Sequence, residues 1–112
     1  MTEQRDIVLL SFPFSDLKTE KVRPAIVISK NSYNKSFDDV IVVPMTSNLT
    51  LRDYAILLTN KDLESGKLIK DSKIKVDRIL SVDKSLIRMI IGKVNRAVHA
   101  KIIGTLLSIL KE

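Results

Sequence analysis

The apolar residues of this chain fall in short runs separated by polar turns, a pattern typical of a small β protein. Near-continuous apolar runs predict buried strands over residues 7–12, 25–29, 40–45, 54–59 and 87–94. A further segment, Ser72 to Asp77, alternates polar and apolar residues with the period of a half-exposed strand. The polar stretches between the runs are predicted to be loops at 13–21 and 30–39, with short helical turns at 62–64 and 83–86.

The last segment has a different period, which predicts an amphipathic helix from Asn95 through Leu110. Asn95 is a good helix N-cap, because its side chain can accept a hydrogen bond from a free backbone N–H of the first turn. Short strands followed by one terminal helix predict a mainly β fold, a small bent sheet or barrel with the helix packed on it. Residues 1–112 are expected to form a single domain.

Composition narrows the chemistry. The chain has no cysteine, which excludes a disulfide framework. Zinc sites are built mainly from cysteine and histidine, and a single histidine leaves too few such ligands for one. We therefore expect no metal and no other cofactor. No apolar run approaches the ~18 residues of a membrane-spanning helix, and the N-terminus lacks the charge order of a signal peptide, so a cytoplasmic protein is expected.

The charge balance favours an anionic partner. Lys and Arg number 19 against 13 Asp and Glu, for a net charge of +6. Such an excess suits nucleic acid or an acidic protein segment. Phe and Tyr are few, so contacts to phosphate should matter more than stacking on bases.

Two stretches, 21–29 and 42–48, carry the most informative polar groups. Arg23 opens the first apolar run, and Thr46, Ser47 and Asn48 close the second. If these strands pair, a guanidinium meets hydroxyl and amide groups at one rim of the sheet. The five N–H donors of an arginine match the non-bridging oxygens of a phosphodiester, so the pattern predicts a phosphate site.

Other polar residues have two readings each. Lys18 and Lys21 are either solvated loop lysines or phosphate contacts, and Lys75 with Asp77 is either a solvated charged face or part of the site. His99 falls on the apolar arc of the last helix, where a packing role is favoured over a general base. With one histidine, acid–base catalysis by a histidine pair within the chain is excluded.

With these residues in view, the chain resembles the MazF/PemK toxins of type II toxin–antitoxin systems, most closely the PemK-like branch. The resemblance runs nearly end to end and rests on several motifs in order. They are Asp6-Ile7-Val8-Leu9, Phe12-Pro13-Phe14-Ser15-Asp16-Leu17, Val22-Arg23-Pro24-Ala25, Thr46-Ser47-Asn48, Val76-Asp77-Arg78, Asp83-Lys84-Ser85-Leu86 and Ile91-Gly92-Lys93-Val94.

The resemblance implies an SH3-like β-barrel that forms a homodimer and cleaves single-stranded RNA without a metal. The family's essential arginine and threonine fall on Arg23 and Thr46. RNA contacts are expected from Lys18, Lys21, Ser47, Asn48, Lys75 and Asp77.

The chain departs from its relatives at three places. Lys75 stands where some members have arginine, Arg5 replaces a common glycine, and residues 78–80 differ from the better-known members. The cut-site sequence therefore does not transfer from them.

The implied mechanism is attack of the ribose 2′-OH on the adjacent phosphate, giving a 2′,3′-cyclic phosphate and a 5′-OH end. Arg23 would stabilise the added negative charge and Thr46 would donate to a non-bridging oxygen. The base stays open between Asp77 and water, since an arginine is normally locked in its charged form.

The implied partners are single-stranded RNA and an antitoxin with a flexible acidic tail. Two alternatives on the same barrel are a gyrase-targeting protein and a non-catalytic nucleic-acid-binding protein. An RNA cleavage assay separates both from a nuclease.

Overall fold

A computed structural model describes residues 1–13, 20–50 and 53–112. Within these ranges the strands are β1 (Asp6–Pro13), β2 (Glu20–Val27), β3 (Asp39–Thr46), β4 (Ala55–Leu58), β5 (Leu63–Gly66), β6 (Ser72–Lys75), β7 (Leu80–Asp83) and β8 (Ile87–Val94). The helices are α1 (Asn31–Ser36) and α2 (Arg96–Leu110), and 3₁₀ turns span Asn60–Asp62, Val76–Arg78 and Lys84–Leu86.

The strands form one curved antiparallel sheet in the order β4-β6-β3-β2-β1-β8-β5, with β7 also paired to β3. The central strands therefore have neighbours on both sides, and β1, β2 and β3 hold the middle of the sheet. The prediction of a mainly β fold with a C-terminal helix is confirmed.

The core lies on both faces of the central strands, which explains their near-continuous apolar sequences. One face carries Ile7, Ile26 and Val43, and it packs against Val98 and Ile102 of α2. The opposite face carries a second cluster of buried side chains, which contains Val8, Leu10, Ala25, Val27, Val40, Val42 and Val82. Because successive residues of a strand point to opposite faces, both sets must be apolar.

The predicted N-cap of the last helix is confirmed. The side chain of Asn95 accepts a hydrogen bond from Val98 N at 3.0 Å. The cap ends β8 and starts the helix one residue later, so the apolar stripe of α2 meets the sheet directly.

Several elements differ from the sequence predictions. Strand β2 begins at Glu20, so Arg23 and Pro24 lie inside it rather than at its start. The helix α1 lies in a predicted loop, β5 overlaps a predicted helical turn, and most of β7 lies where the sequence predicts no element. The helical turn predicted at 62–64 is a 3₁₀ turn at Asn60–Asp62. The sequences of α1 and β5 (Leu63-Glu64-Ser65-Gly66) are polar and show no apolar periodicity, which explains why neither element was predicted. Both depend on contacts with the rest of the fold.

The prediction that Lys75 and Asp77 share one strand face is wrong. Strand β6 ends at Lys75, and Asp77 lies in the 3₁₀ turn Val76–Arg78. Val76 is fully buried and packs in the core, which holds this turn in place. The alternation of polar and apolar residues over Ser72 to Asp77 therefore does not continue as a strand beyond Lys75.

Arg5 adopts a left-handed backbone conformation with φ of 79°, which is costly for a residue with a Cβ. The surroundings hold it there: Arg5 N donates to Val27 O at 2.8 Å, and its guanidinium donates to Val94 O at 2.8 Å and to Glu64 at 3.1 Å. The side-chain contacts of Arg5 thus offset the strain of its backbone.

Glycine is required where β5 meets β8. Gly66 has φ of +84°, and a Cβ there would lie 2.3 Å from Ile91 O, inside any allowed contact. Its register partner is Gly92, so two backbones approach closely at this point. Gly104 on α2 differs, because a Cβ at that position meets nothing within 4 Å.

These two sites give a matched pair of predictions. Gly66→Ala should lower the free energy of unfolding by about 2 kcal/mol or more, because it adds left-handed strain to a backbone clash. Gly104→Ala should raise it by about 0.5–1 kcal/mol, because alanine is the better helix former. Denaturant unfolding of the two variants measures both, and equal effects of one sign would contradict this account.

Candidate functional site

The pairing of β2 with β3 brings Arg23 and Thr46 together. The register of the two strands is Ala25↔Pro44, Ile26↔Val43 and Val27↔Val42. Continued two residues beyond its last pair, the same register sets Arg23 opposite Thr46. Both residues lie on the face of Ala25 and Val42, since side chains repeat every second residue.

Both residues also line one open cavity of about 620 Å³ at the end of these strands. Its floor is largely apolar and its rim is polar and basic. The lining residues are Leu9, Val22, Arg23, Pro24, Met45, Thr46, Ser47, Lys67, Leu68, Ile69, Lys70, Ser72 and Ile91. The guanidinium and the hydroxyl that the sequence predicts at one rim thus belong to residues lining the same cavity.

The guanidinium of Arg23 is available for a ligand. The residue is exposed, and in the described ranges its side chain makes no hydrogen bond or ion pair. Because no described residue holds its N–H donors, an anion can be bound without first breaking an internal contact.

The hydroxyl of Thr46 is half-buried and held from one side. Asn48 N donates to Thr46 Oγ1 at 3.1 Å, and Asn48 Oδ1 accepts from Thr50 N at 3.0 Å and from Thr50 Oγ1 at 2.6 Å. A hydroxyl has one donor hydrogen and two acceptor lone pairs. Because Asn48 occupies an acceptor position, the hydrogen of Thr46 remains to be donated to a ligand.

The other predicted contact residues are placed unequally. Ser47 is exposed and lines the cavity, while exposed Asn48 shapes the turn beside Thr46. Lys21 is exposed on β2, opposite Phe12. Lys18 lies outside the described residues.

Lys75 and Asp77 are half-buried and are not among the residues that line the cavity. Lys75 pairs with Ala55 at the β4 side of the sheet. The structure therefore does not bring either residue to the rim that Arg23 and Thr46 share.

Three lysines near the site were not among the predicted contacts. Lys67 and Lys70 line the cavity from the β5–β6 connection, and Lys73 on β6 is the register partner of Thr46. The alternation over Ser72–Lys75 marks Lys73 as facing away from the core, but the placement of the connection cannot be seen in the sequence.

Acidic and metal-binding groups are sparse at this rim. In the described part of the chain, no three His, Cys, Asp or Glu side chains are grouped to hold a metal ion.

The helices in those same ranges are all too short or too polar to cross a bilayer.

His99 lies on α2 and is not among the cavity-lining residues. It is half-buried, and its Nδ1 atom is buried without a hydrogen-bond partner among the described residues. Burial lowers the pKa of His99, and the nearby positive charge of Arg5 lowers the pKa further. Both effects favour the neutral imidazole, in keeping with the predicted packing role.

Comparison with known proteins identifies the family. A family model described as a PemK-like, MazF-like toxin of type II toxin–antitoxin systems matches residues 3–110. The chain belongs to this family. No curated protein gives a significant sequence match to it.

Solved structures share the fold over nearly the whole chain. The MazE–MazF complex of Deinococcus radiodurans matches with a TM-score of 0.81 and 23% identity, covering 97% of this chain and 95% of that one. An endoribonuclease of a Mycobacterial species, solved with its cognate antitoxin, matches with a TM-score of 0.79 and 17% identity, covering 98% and 95%. The toxin MazF-mt6 of Mycobacterium tuberculosis matches with a TM-score of 0.74 and 16% identity, covering 95% and 96%.

The environment of His99 predicts a pH dependence of stability. Because its pKa is lowered in the native state, the unfolded chain binds the proton more readily, so stability falls as the pH drops below about 6.5. His99→Gln should remove this contribution while leaving Arg5 and Glu64 in place. Denaturant unfolding at pH 7.5 and pH 5.5 should show a larger loss for the original protein than for the variant, and equal losses would show that His99 is not the cause.

Proposed function

We propose that this toxin is a cytoplasmic, metal-independent endoribonuclease that cleaves single-stranded RNA at the cavity rim. The observation that supports the proposal is the shared position of Arg23 and Thr46 on one open cavity, with the guanidinium unpaired in the described structure. The endoribonuclease among the solved structures of the same fold is consistent with this activity.

The proposed reaction uses the nucleophile that RNA itself carries. The ribose 2′-oxygen forms a bond to the adjacent phosphorus as the bond from phosphorus to the 5′-oxygen breaks. One product ends in a 2′,3′-cyclic phosphate, and the other takes up a proton to end in a 5′-OH. The 2′-OH loses its proton as the attack proceeds, so the five-coordinate phosphorane that forms carries one more negative charge than the phosphodiester.

Arg23 and Thr46 stabilise that added charge in different ways. Arg23 offers a fork of N–H donors to the two non-bridging oxygens, and its charge is always present. Thr46 donates one hydrogen bond from a hydroxyl whose acceptor side is already held by Asn48. One preorganised donor of this kind is worth roughly 3–4 kcal/mol to the transition state.

Water is the proton acceptor in this proposal. None of the described residues that line the cavity is His, Asp or Glu, and Asp77 lies in the 3₁₀ turn outside the lining. Arg23 cannot serve, because a guanidinium stays protonated in proteins. Rate enhancement therefore comes chiefly from binding and charge stabilisation, without a side-chain base.

RNA binding would use the basic rim. Lys67, Lys70 and Ser47 line the cavity beside Arg23 and can follow the backbone of a bound strand. Lys18, Lys21, Asn48, Lys75 and Asp77 remain proposed contacts along the flanking path. The lysines bind phosphate without reading sequence, so they give affinity that falls with salt.

An antitoxin with a flexible acidic tail is the proposed protein partner. Solved structures with this fold include complexes of the toxin with an antitoxin or with MazE. Carboxylates of such a tail would occupy the positions of RNA phosphates on the basic rim, and the net charge of +6 favours this binding.

We also propose that the toxin is a homodimer. Val22 on β2 and Met89 on β8 are large apolar side chains left exposed on the two strands that flank β1, and both lie on the face of Leu9. A second copy could cover them, and sedimentation of the purified protein tests this.

Arg23 variants test the catalytic proposal. Arg23→Ala should lower kcat/KM at least about 10²-fold, because it removes the charge that stabilises the phosphorane. Arg23→Lys should recover only part of the loss, because a lysine keeps the charge without the fork. Cleavage of a long unstructured RNA measures both, with unfolding curves as the control for folding. Full activity of Arg23→Ala would remove this residue from the mechanism.

Substrate and metal dependence form a second test. Cleavage should persist in excess EDTA, and an all-deoxy strand of the same sequence should bind but resist cutting, because its nucleophile is missing. Loss of cleavage in EDTA would indicate a metal nuclease. Salt-dependent RNA binding without any cleavage would instead support the non-catalytic alternative.

A further inference from the structure

Lys73 lies next to Thr46 on the neighbouring strand. The register of β3 and β6 pairs Met45 with Ile74 and Thr46 with Lys73. Met45 and Ile74 are buried on the core side, so Thr46 and Lys73 project together from the other face. Lys73 is therefore a second basic residue, besides Arg23, that the sheet places beside the proposed hydrogen-bond donor.

The side chain of Lys73 is already engaged. Its ammonium group donates a hydrogen bond to the carbonyl oxygen of Thr50, in the loop that follows β3. Thr50 in turn donates to Asn48 Oδ1 through both its backbone N–H and its hydroxyl, at 3.0 and 2.6 Å. Asn48 N then donates to Thr46 Oγ1 at 3.1 Å. Four residues thus form a continuous path that begins at β6 and ends at the threonine hydroxyl.

Core packing contributes little to holding the described part of the loop after β3, residues 47–50. Residues 47–50 are all exposed, and none of these four residues belongs to either core cluster. A segment with few buried contacts opens at low free energy. Without the contact to Lys73, the Asn48 N–H would lose its fixed direction, and the Thr46 hydroxyl would be free to rotate.

We propose that Lys73 is a positioning residue, which holds the loop after β3 so that Asn48 fixes the direction of the Thr46 hydroxyl. The proposal rests on the proposed function, because orientation of Thr46 affects cleavage only if Thr46 donates to the phosphate. It assigns Lys73 a role through Thr46 and no direct contact with the reacting atoms.

Kinetics of three lysine variants test this role. Lys73→Met keeps the length of the stem without the donor, and it should lower kcat about tenfold with KM changed less than about twofold. Lys73→Arg should restore kcat to within about threefold of the original. Lys101→Met is the matched control, because Lys101 is an exposed lysine of α2 that does not line the cavity. It should leave kcat and KM nearly unchanged.

A double-mutant cycle separates positioning from direct phosphate binding. In a Thr46→Val background, Lys73→Met should lower kcat less than about twofold further, because the group that it orients is gone. Multiplicative losses, or a loss confined to KM with a shallower salt dependence, would show that Lys73 binds RNA itself and would overturn the proposal.

Hydrogen exchange gives a readout that does not depend on cleavage. The Asn48 amide should exchange at least about tenfold faster in Lys73→Met than in the original protein, and close to the original rate in Lys73→Arg. Unchanged exchange in Lys73→Met would overturn the positioning role even if activity falls. If the original protein cuts no RNA, the proposed function fails, and the exchange rates still test the contact.

Discussion

The antiparallel register of β2 and β3 is the constraint on which the site depends. Ile26 and Val43 pair on the face that packs against α2, and Val27 and Val42 pair on the opposite, equally buried face. A slip of one residue would exchange the two faces of a strand, and both clusters would lose their packing. The register that the core selects is also the one that aligns Arg23 with Thr46. Core packing thus positions two polar groups that contribute nothing to the core themselves.

The two groups are prepared for an anion in complementary ways. Arg23 is exposed and without an internal partner in the described structure, so it keeps its full donor capacity. Thr46 is half-buried, with one acceptor position filled by the Asn48 amide. One group supplies charge and the other supplies direction. In the proposed mechanism, this division would let a rim without a described histidine or carboxylate in its lining stabilise a phosphorane.

The sequence predicted the elements whose local pattern and tertiary role agree, such as the apolar strands and the helix capped by Asn95. Strand β5 and helix α1 escaped prediction because their sequences are polar and their shape comes from neighbours. Arg23 and Thr46 could be predicted because each sits at a fixed place on a recognisable strand. Lys67 and Lys70 could not, since their presence depends on where the β5–β6 connection crosses the cavity. The prediction that Lys75 and Asp77 share one face of a strand failed because β6 ends at Lys75 and Val76 packs in a 3₁₀ turn.

The chemistry of the cut ends tests the central claim most directly, since it reports how the phosphodiester is broken. Purified protein should be incubated with a long unstructured RNA in EDTA, and both ends at each cut should be identified by mass spectrometry. The account predicts 2′,3′-cyclic phosphate and 5′-OH ends, which disappear when Thr46 is replaced by valine. Ends carrying 3′-OH and 5′-phosphate would contradict it, because water and not the ribose would then be the nucleophile.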